Sequence, residues 1–127
     1  MEKIIAIDVG LKRIGVAYSP GGIAVVPLRA IIRKNRNQAA KEVSKLLKEY
    51  KANTLVIGLP KTNEEMCQRI KHFTNLIEFD GKVEFVDESF TSAIVKEEIK
   101  GKIKQKRDGR IDSLAAKKIL ESYLAKK

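Results

Sequence analysis

The spacing of apolar and polar positions along this chain divides it into predicted strands and helices. Two short runs rich in β-branched residues, residues 4–7 and 14–17, are separated by a segment that contains Gly10. A third apolar run, residues 23–32, follows the turn-forming sequence Ser-Pro-Gly-Gly. Short apolar runs between turn residues are typical of strands. We therefore predict three consecutive strands joined by short turns, as in an antiparallel meander.

A helical spacing begins at Asn37, where apolar residues start to recur every three or four positions, up to Tyr50. This spacing predicts an amphipathic helix with one buried face. Residues 54–57 are uniformly apolar or β-branched and predict a short fourth strand. A second amphipathic helix is predicted to begin at Thr62, because its spacing from Glu65 is that of a capping box.

The last third of the chain predicts a fifth strand over residues 83–86 and a third helix over residues 89–99. Residues 100–110 carry six cations and two glycines in eleven positions, with little to bury, and predict an exposed loop. Residues 111–124 predict a final amphipathic helix. The later strands follow helices, so they should run parallel to the first. The order predicts an α/β fold with a five-stranded mixed sheet flanked by helices on both faces.

Composition narrows the class of protein. A length of 127 residues fits a single domain spanning residues 1–127. Twenty-six Lys and Arg against 16 Asp and Glu give a net charge of +10, which favours a polyanionic partner such as nucleic acid, although a lysine-rich chain can be basic without binding anything. A single cysteine, Cys67, excludes an internal disulfide and a thiolate zinc site, and it predicts a reducing, cytoplasmic setting. No targeting or membrane-spanning segment is predicted.

Three acids occupy positions where a site could form. Asp8 ends the first predicted strand, where a carboxylate needs a cation or a hydrogen-bond partner. The alternative interpretation of Asp8 is a turn-forming residue. Glu88 follows the fifth strand, and Asp112 begins the last helix, where the helix dipole alone could also favour an acid. Because the carboxyl ends of parallel strands lie at one edge of a sheet, we expect these acids to share a site.

Such a carboxylate cluster suits a hard divalent cation. Oxygen ligands bind Mg²⁺ or Mn²⁺ without any Cys or His, and two ions would support phosphodiester hydrolysis by activating water and stabilising the leaving oxygen. A basic surface around the acids would offset their repulsion of phosphates. The residues therefore point to a metal-dependent nuclease acting on nucleic acid.

Four segments resemble, in order, the motifs of the YqgF/RuvX family, and together they span nearly the whole chain. They are DVGLKRIGVA at residues 8–17, VIGLP at 56–60, DESFTSA at 87–93 and IDSLAAKKIL at 111–120. Members of this family are bacterial proteins with a ribonuclease H-like fold, described as Holliday junction resolvases and as nucleases that process the 5′ end of pre-16S rRNA. The resemblance implies that Asp8, Glu88 and Asp112 are the catalytic, metal-binding acids.

The chain departs from the family pattern at two places. Ser89 stands where members usually carry Arg, and residues 61–65 replace a glycine-containing segment. Asp87 is a rival to Glu88, since adjacent strand residues point to opposite faces, and the motif match favours Glu88. The following cations are predicted to hold the phosphate backbone, the alternative being a solvated surface: Lys12, Arg13, Lys104, Lys106, Arg107 and Arg110.

Two other functions fit parts of the pattern. The D-x-G sequence also occurs in actin-like kinases and ATPases, but that fold needs a second lobe that this chain is too short to supply. A non-catalytic nucleic-acid-binding module on the same scaffold is the stronger alternative. The sequence does not choose between branched DNA and precursor rRNA as substrate. Paired cleavage of a symmetric junction would require a homodimer, at least transiently.

Overall fold

The fold is taken from a computed structural model, which describes residues 2–87 and 113–126. Its described elements are β1 (Ile4–Val9), β2 (Arg13–Ser19), β3 (Val26–Ile32), α1 (Arg36–Glu49), β4 (Thr54–Leu59), α2 (Glu64–Leu76), β5 (Lys82–Asp87) and α3 (Leu114–Ala125). The strands form one sheet in the order β3-β2-β1-β4-β5. β1 is antiparallel to β2 and parallel to β4, and β4 is parallel to β5. The predicted five-stranded mixed sheet is therefore confirmed, whereas the helix and loop predicted over residues 89–110 lie outside the described residues.

The side chains of β1 alternate between two apolar layers. Ile5, Ile7 and Val9 belong to the layer that α1 and α2 cover, and Ile4 and Ala6 belong to the layer that α3 covers. Successive side chains of a strand point to opposite faces, so each face of the sheet has its own core. The larger core contains Ala39, Val43 and Leu47 of α1 with Ile70 and Phe73 of α2, and the smaller contains Ala116, Ile119, Leu120 and Tyr123 of α3. Helices on both faces are confirmed.

Asn53 ties together the first residues of the three parallel strands. Its side-chain oxygen accepts a hydrogen bond from the backbone N–H of Lys3 at 2.8 Å, and its own N–H donates to the Lys3 carbonyl at 2.7 Å. Its carbonyl accepts from the N–H of Lys82 at 3.0 Å. A Cβ at Gly81 would lie 2.4 Å from that carbonyl, so only glycine allows the chain to pass so closely. The mutual register of β1, β4 and β5 is thus fixed at their amino ends.

The two helices on the larger core begin at asparagine caps. The Asn35 side chain accepts from the N–H of Gln38 at 2.7 Å, and the Gln38 side chain accepts from the N–H of Asn35, which completes a capping box. α2 begins after Asn63, whose side chain accepts from Met66 N–H at 3.1 Å. The capping box predicted at Thr62 is therefore wrong by one residue, because the Asn63 side chain supplies the cap. No helix within the described residues is long and apolar enough to cross a membrane.

The third strand begins later than its apolar run suggests. β3 starts at Val26, and Ile23 is 91% exposed. The preceding turn explains the delay, since the N–H of Gly22 donates to the hydroxyl of Ser19 at 3.0 Å and Gly22 adopts a φ of 78°. The chain is still reversing direction at Ile23, so this residue has not yet reached the edge of β2 to pair with it. The predicted start at residue 23 is wrong for this reason.

Candidate functional site

Asp8 lies on the middle strand of the sheet, at its carboxyl end. It is half-buried and pairs in register with Gly15 of β2. By strand alternation it faces the same side as Ile4 and Ala6, the side that α3 covers. The turn after β1 begins only at Gly10, so Asp8 is a strand residue and the turn-forming alternative is wrong. A half-buried carboxylate in this position requires a partner for its charge.

The loop that follows β1 is tightly closed and is held by Arg33, the residue after β3. Gly10 N–H donates to the Arg13 carbonyl at 3.0 Å, and a Cβ at Gly10 would lie 2.6 Å from that oxygen. The guanidinium of Arg33 donates to the Gly10 carbonyl at 2.9 Å, and the Arg33 N–H donates to the Lys12 carbonyl at 2.9 Å. Lys12 on this loop and Arg13 at the start of β2, both predicted to contact phosphates, have exposed side chains.

Arg33 is itself held by the core beneath it. Its guanidinium carbon lies 5.3 Å from the centre of the Phe73 ring, within cation–π distance. Burial lowers the pKa of Arg33, and the nearby positive charge of Arg36 lowers it further. An arginine remains charged at neutral pH despite such a shift. Arg33 therefore brings a fixed positive charge to the base of the loop.

The carboxyl end of β5 separates the two rival acids of the third motif. β5 pairs with β4 as far as Leu59 and Asp87, and Val86 packs in the smaller core under α3. Since side chains alternate, Asp87 points to the opposite face from Val86 and therefore away from the side that Asp8 faces. Asp87 is excluded as a close neighbour of Asp8 while the strand stays regular. Glu88 lies outside the described residues.

Ser113 fixes the start of α3 against β2. The Ser113 hydroxyl is fully buried and accepts a hydrogen bond from Val16 N–H at 3.0 Å, instead of capping its own helix. The pairing of β2 with β3 is irregular between Ile14 and Val16, at Gly15. The start of α3 is thus anchored to β2 one residue from the partner of Asp8. No local sequence signal marks Ser113, because its partner lies 97 positions away.

Replacing Ser113 by Ala should lower the free energy of unfolding by about 1–3 kcal/mol, since the buried N–H of Val16 would lose its acceptor. Chemical denaturation measures this loss, and hydrogen exchange should show faster exchange at the Val16 amide. Ser44→Ala is the matched control, because Ser44 is also a buried serine with two hydrogen bonds, to Ala40 and Glu78. The control should leave the Val16 amide protected. If the Val16 amide stayed as protected in Ser113→Ala as in wild type, the hydrogen bond from Val16 N–H to the Ser113 hydroxyl would be contradicted.

The structure describes three of the nine predicted site residues. Asp8, Lys12 and Arg13 lie together at the carboxyl end of β1 and the start of β2. Six others lie outside the described residues: Glu88, Lys104, Lys106, Arg107, Arg110 and Asp112. The described chain reaches this segment from Asp87 at the end of β5 and continues at Ser113 beside β2. The described residues that flank this segment on either side are therefore both placed by the sheet.

Comparison with known proteins gives consistent matches over the whole chain. Three relatives, from Sulfurimonas denitrificans, Sulfurovum sp. and Campylobacter lari, are 48%, 51% and 51% identical to this chain. The matches cover 98%, 97% and 95% of this chain and 98%, 98% and 96% of the relatives. All three are named "Putative pre-16S rRNA nuclease".

A solved structure supports the fold. The fowlpox virus Holliday junction resolvase superposes with a TM-score of 0.61 at 15% identity, covering 98% of this chain and 99% of the viral one. At this identity the likeness concerns the fold, and it confirms the predicted ribonuclease H-like architecture. The RuvX family model, described as "Holliday junction resolvase", matches residues 2–126. Together with relatives at about half identity, this match shows that the chain belongs to the RuvX family.

Proposed function

We propose that this chain is a divalent-metal-dependent nuclease that hydrolyses phosphodiester bonds in structured nucleic acid, with Asp8, Glu88 and Asp112 as its acidic residues. The observation that carries the proposal is Asp8, a half-buried carboxylate at the carboxyl end of the middle strand. Parallel sheets place reactive groups at this end of their strands. The names of the relatives and the description of the family support the same class of reaction.

Chain connectivity supports the other two acids. Asp112 directly precedes Ser113, which is anchored to β2 beside Gly15, the partner of Asp8. Glu88 directly follows Asp87, which points away from the face of Asp8, so the alternation of β5 favours its successor. In the proposal, the three carboxylates converge on the face of the sheet that α3 covers. Asp8 would be the central metal ligand, and Glu88 and Asp112 would complete the set of carboxylate ligands.

The donor chemistry of this face fits a hard cation. The single cysteine and the single histidine of the chain, Cys67 and His72, both lie on α2, across the sheet from Asp8. Only oxygen ligands then remain for a metal at this site, which favours Mg²⁺ or Mn²⁺, and we propose two ions. When bound, the metal supplies the charge that activates a water molecule and stabilises the leaving oxygen. The chain needs no side-chain nucleophile, and its carboxylates hold and orient the cations.

The positive surface of the chain supports nucleic acid as the substrate. Lys12 on the loop after β1 and Arg13 at the start of β2 are exposed, and the net charge is +10. We propose that they hold phosphates together with Lys104, Lys106, Arg107 and Arg110. Phosphate contacts of this kind position a substrate without reading its sequence. A cytoplasmic location, which both the nucleic-acid substrate and the single cysteine favour, belongs to the same proposal.

Two substrates follow from the relatives and the family description, namely precursor rRNA and branched DNA. The test is cleavage of a labelled pre-16S rRNA 5′ leader and of a labelled four-way DNA junction, each with Mg²⁺, with Mn²⁺ and with a chelator. We expect one substrate to be cut with either metal and neither to be cut with the chelator. Binding of both substrates without cleavage under any metal would instead favour the non-catalytic binding module.

The same assay tests whether cleavage requires a homodimer. Paired cuts on opposite strands of a junction need two active sites, so their rate should rise with protein concentration until a dimer is saturated. Trimming of an RNA leader can be done by a single copy. Concentration-independent cleavage of the RNA leader alone would therefore assign the protein to RNA processing and remove the need for a dimer.

A further inference from the structure

A groove of about 620 Å³ opens on the other face of the sheet from Asp8, at the same end. Val9 and Leu11 line it from the end of β1 and the following loop. Val9 belongs to the core under α1 and α2, so the groove lies on that side. The remaining described lining comes from the segment between β3 and α1, from the first residue of α1 and from α2. Three of these side chains, Arg33, Arg36 and Arg69, define what we name the arginine groove.

The arginine groove carries an excess of positive charge. Among its described lining residues the only acid is Glu65, and that carboxylate is paired with Arg69 at 2.9 Å. Arg33 and Arg36 are then left facing the groove without an acidic partner among those lining residues. Burial lowers the pKa of Arg33, and Arg36 lies near enough for its positive charge to lower that pKa further. Two adjacent guanidinium groups are the usual arrangement for binding an oxyanion, because each can donate two parallel hydrogen bonds.

The position of Arg36 is unfavourable for the fold itself. It is the first residue of α1, and the first turn of that helix contains no acid. A cation at the amino end of a helix is destabilising, because the helix dipole is positive there. Arg36 is also exposed, so it contributes little packing. Binding an anion would offset both the repulsion from Arg33 and the unfavourable dipole.

The groove adjoins the loop beside Asp8 directly. Arg33 joins them, since its guanidinium donates to the Gly10 carbonyl and its N–H donates to the Lys12 carbonyl. Leu11 lies at the rim and is 65% exposed, with the exposed Lys12 next to it. A positively charged surface therefore runs from the edge at Asp8 around the end of the sheet into the groove. A long polyanion can follow such a path, whereas a small anion would use only one point of it.

We propose that the arginine groove binds the phosphate backbone of the nucleic acid beyond the cleaved bond, as a second contact area on the opposite face of the sheet. This proposal rests on the proposed nuclease function, which identifies the ligand as nucleic acid. Arg36 contacts phosphate directly, and Arg69 does so by exchanging its exposed pairing with Glu65 for a phosphate. Arg33 both contacts phosphate and keeps the loop of Lys12 in place. The substrate thus bends around the carboxyl end of β1, which a branched or folded nucleic acid accommodates more readily than a straight duplex.

The test is the salt dependence of binding of a labelled four-way DNA junction and of a pre-16S rRNA leader, in the presence of a chelator so that no cleavage occurs. The variant is Arg36→Ala with Arg69→Ala, which spares the structural Arg33. Each phosphate contact contributes roughly 0.9 to the slope of log affinity against log salt on duplex DNA, so we expect the slope to fall by about two units. The corresponding double Lys variant should keep the wild-type slope, because it keeps both charges.

Lys45→Ala with Lys48→Ala is the matched control. Both lysines are exposed on α1, about 13 to 18 Å along the helix from Arg36, and removing them changes the net charge equally. The control should keep the wild-type slope. Thermal unfolding of the arginine variant should be unchanged or occur at a slightly higher temperature, because the exposed pair of Arg69 with Glu65 contributes little and the cation at the start of α1 is unfavourable.

If Arg36→Ala with Arg69→Ala shows the same salt slope as the control Lys45→Ala with Lys48→Ala, the proposal is overturned for both nucleic acids. A loss of affinity without a change of slope overturns it as well, since the missing contact would then not be to phosphate. The proposed nuclease function fails separately, through the absence of metal-dependent cleavage. A protein that shows the expected slopes but never cuts would leave the arginine groove established and the nuclease proposal refuted.

Discussion

Asp8→Asn is expected to abolish cleavage while leaving the fold intact. The amide has the same shape as the carboxylate but lacks the negative charge that a hard cation requires. Losing a metal contact of several kcal/mol in the transition state corresponds to a rate at least on the order of 10³-fold lower. Single-turnover cleavage with saturating Mg²⁺ measures this effect. In the absence of metal the variant should be slightly more stable, because clustered carboxylates repel one another.

Asp87→Asn is the control for that experiment. Asp87 is an acid at the same edge of the sheet, and strand alternation turns it to the opposite face. The same chemical change at Asp87 should leave the cleavage rate within a few-fold of wild type. Equal losses at Asp8 and Asp87 would refute the assignment of faces, and full activity of Asp8→Asn would refute the metal-binding role of Asp8.

Phe73→Ala should lower the free energy of unfolding more than Ser113→Ala does. Phe73 is fully buried in the core between α2 and the sheet, and truncating such a ring costs about 3–5 kcal/mol. Its ring also supports the guanidinium of Arg33, which in turn holds the Gly10 carbonyl. The loop after Asp8 should therefore loosen as the core is damaged. Chemical denaturation gives the first effect, and hydrogen exchange at the Gly10 amide gives the second.

Phe73→Leu separates packing from the aromatic contact. Leucine keeps much of the buried volume but offers no ring to the Arg33 guanidinium. We expect the free energy of unfolding to fall clearly less than in Phe73→Ala. Hydrogen exchange at the Gly10 amide should nevertheless be faster than in wild type, because a cation–π contact of this kind is worth about 0.5–2 kcal/mol. If the Leu variant kept the Gly10 amide as protected as in wild type, the ring would have no part in holding the loop.

The strands and their parallel or antiparallel directions were accessible from the sequence, because the core strands are nearly continuous apolar runs, whereas the order of the strands in the sheet was not predicted. β1 and β4 are buried on both faces, and such runs have few alternative interpretations when turn residues bound them. Helix ends were less accessible. Asn63 and Thr62 are both good caps, and only the path of the backbone decides between them. The late start of β3 at Val26 likewise depends on turn geometry that an apolar run does not reveal.

The site was only partly accessible. The position of Asp8 at the end of a strand follows from the pattern, but the face to which Asp87 points depends on how β5 packs against α3. The anchor at Ser113 depends on a contact between residues far apart in the chain. The arginine groove was missed altogether, because its three cations come from two separate segments, the junction of β3 with α1 and the helix α2, and each alone resembles an ordinary surface residue. Convergence of this kind is a property of the packed fold.

The hydrogen bonds of Asn53 affect the position of Asp8 from the opposite end of the sheet. Asn53 sets the pairing of the parallel strands at the end opposite to Asp8, about 16 Å away along β1. A shift of that pairing by one residue would move Asp8 out of step with the neighbouring strands, and a one-residue slip turns every side chain of a strand to the other face. The Asn53 amide thus helps to keep the Asp8 carboxylate on the face of the sheet that α3 covers. Catalysis by this protein therefore depends on the register of its parallel strands as well as on its acidic residues.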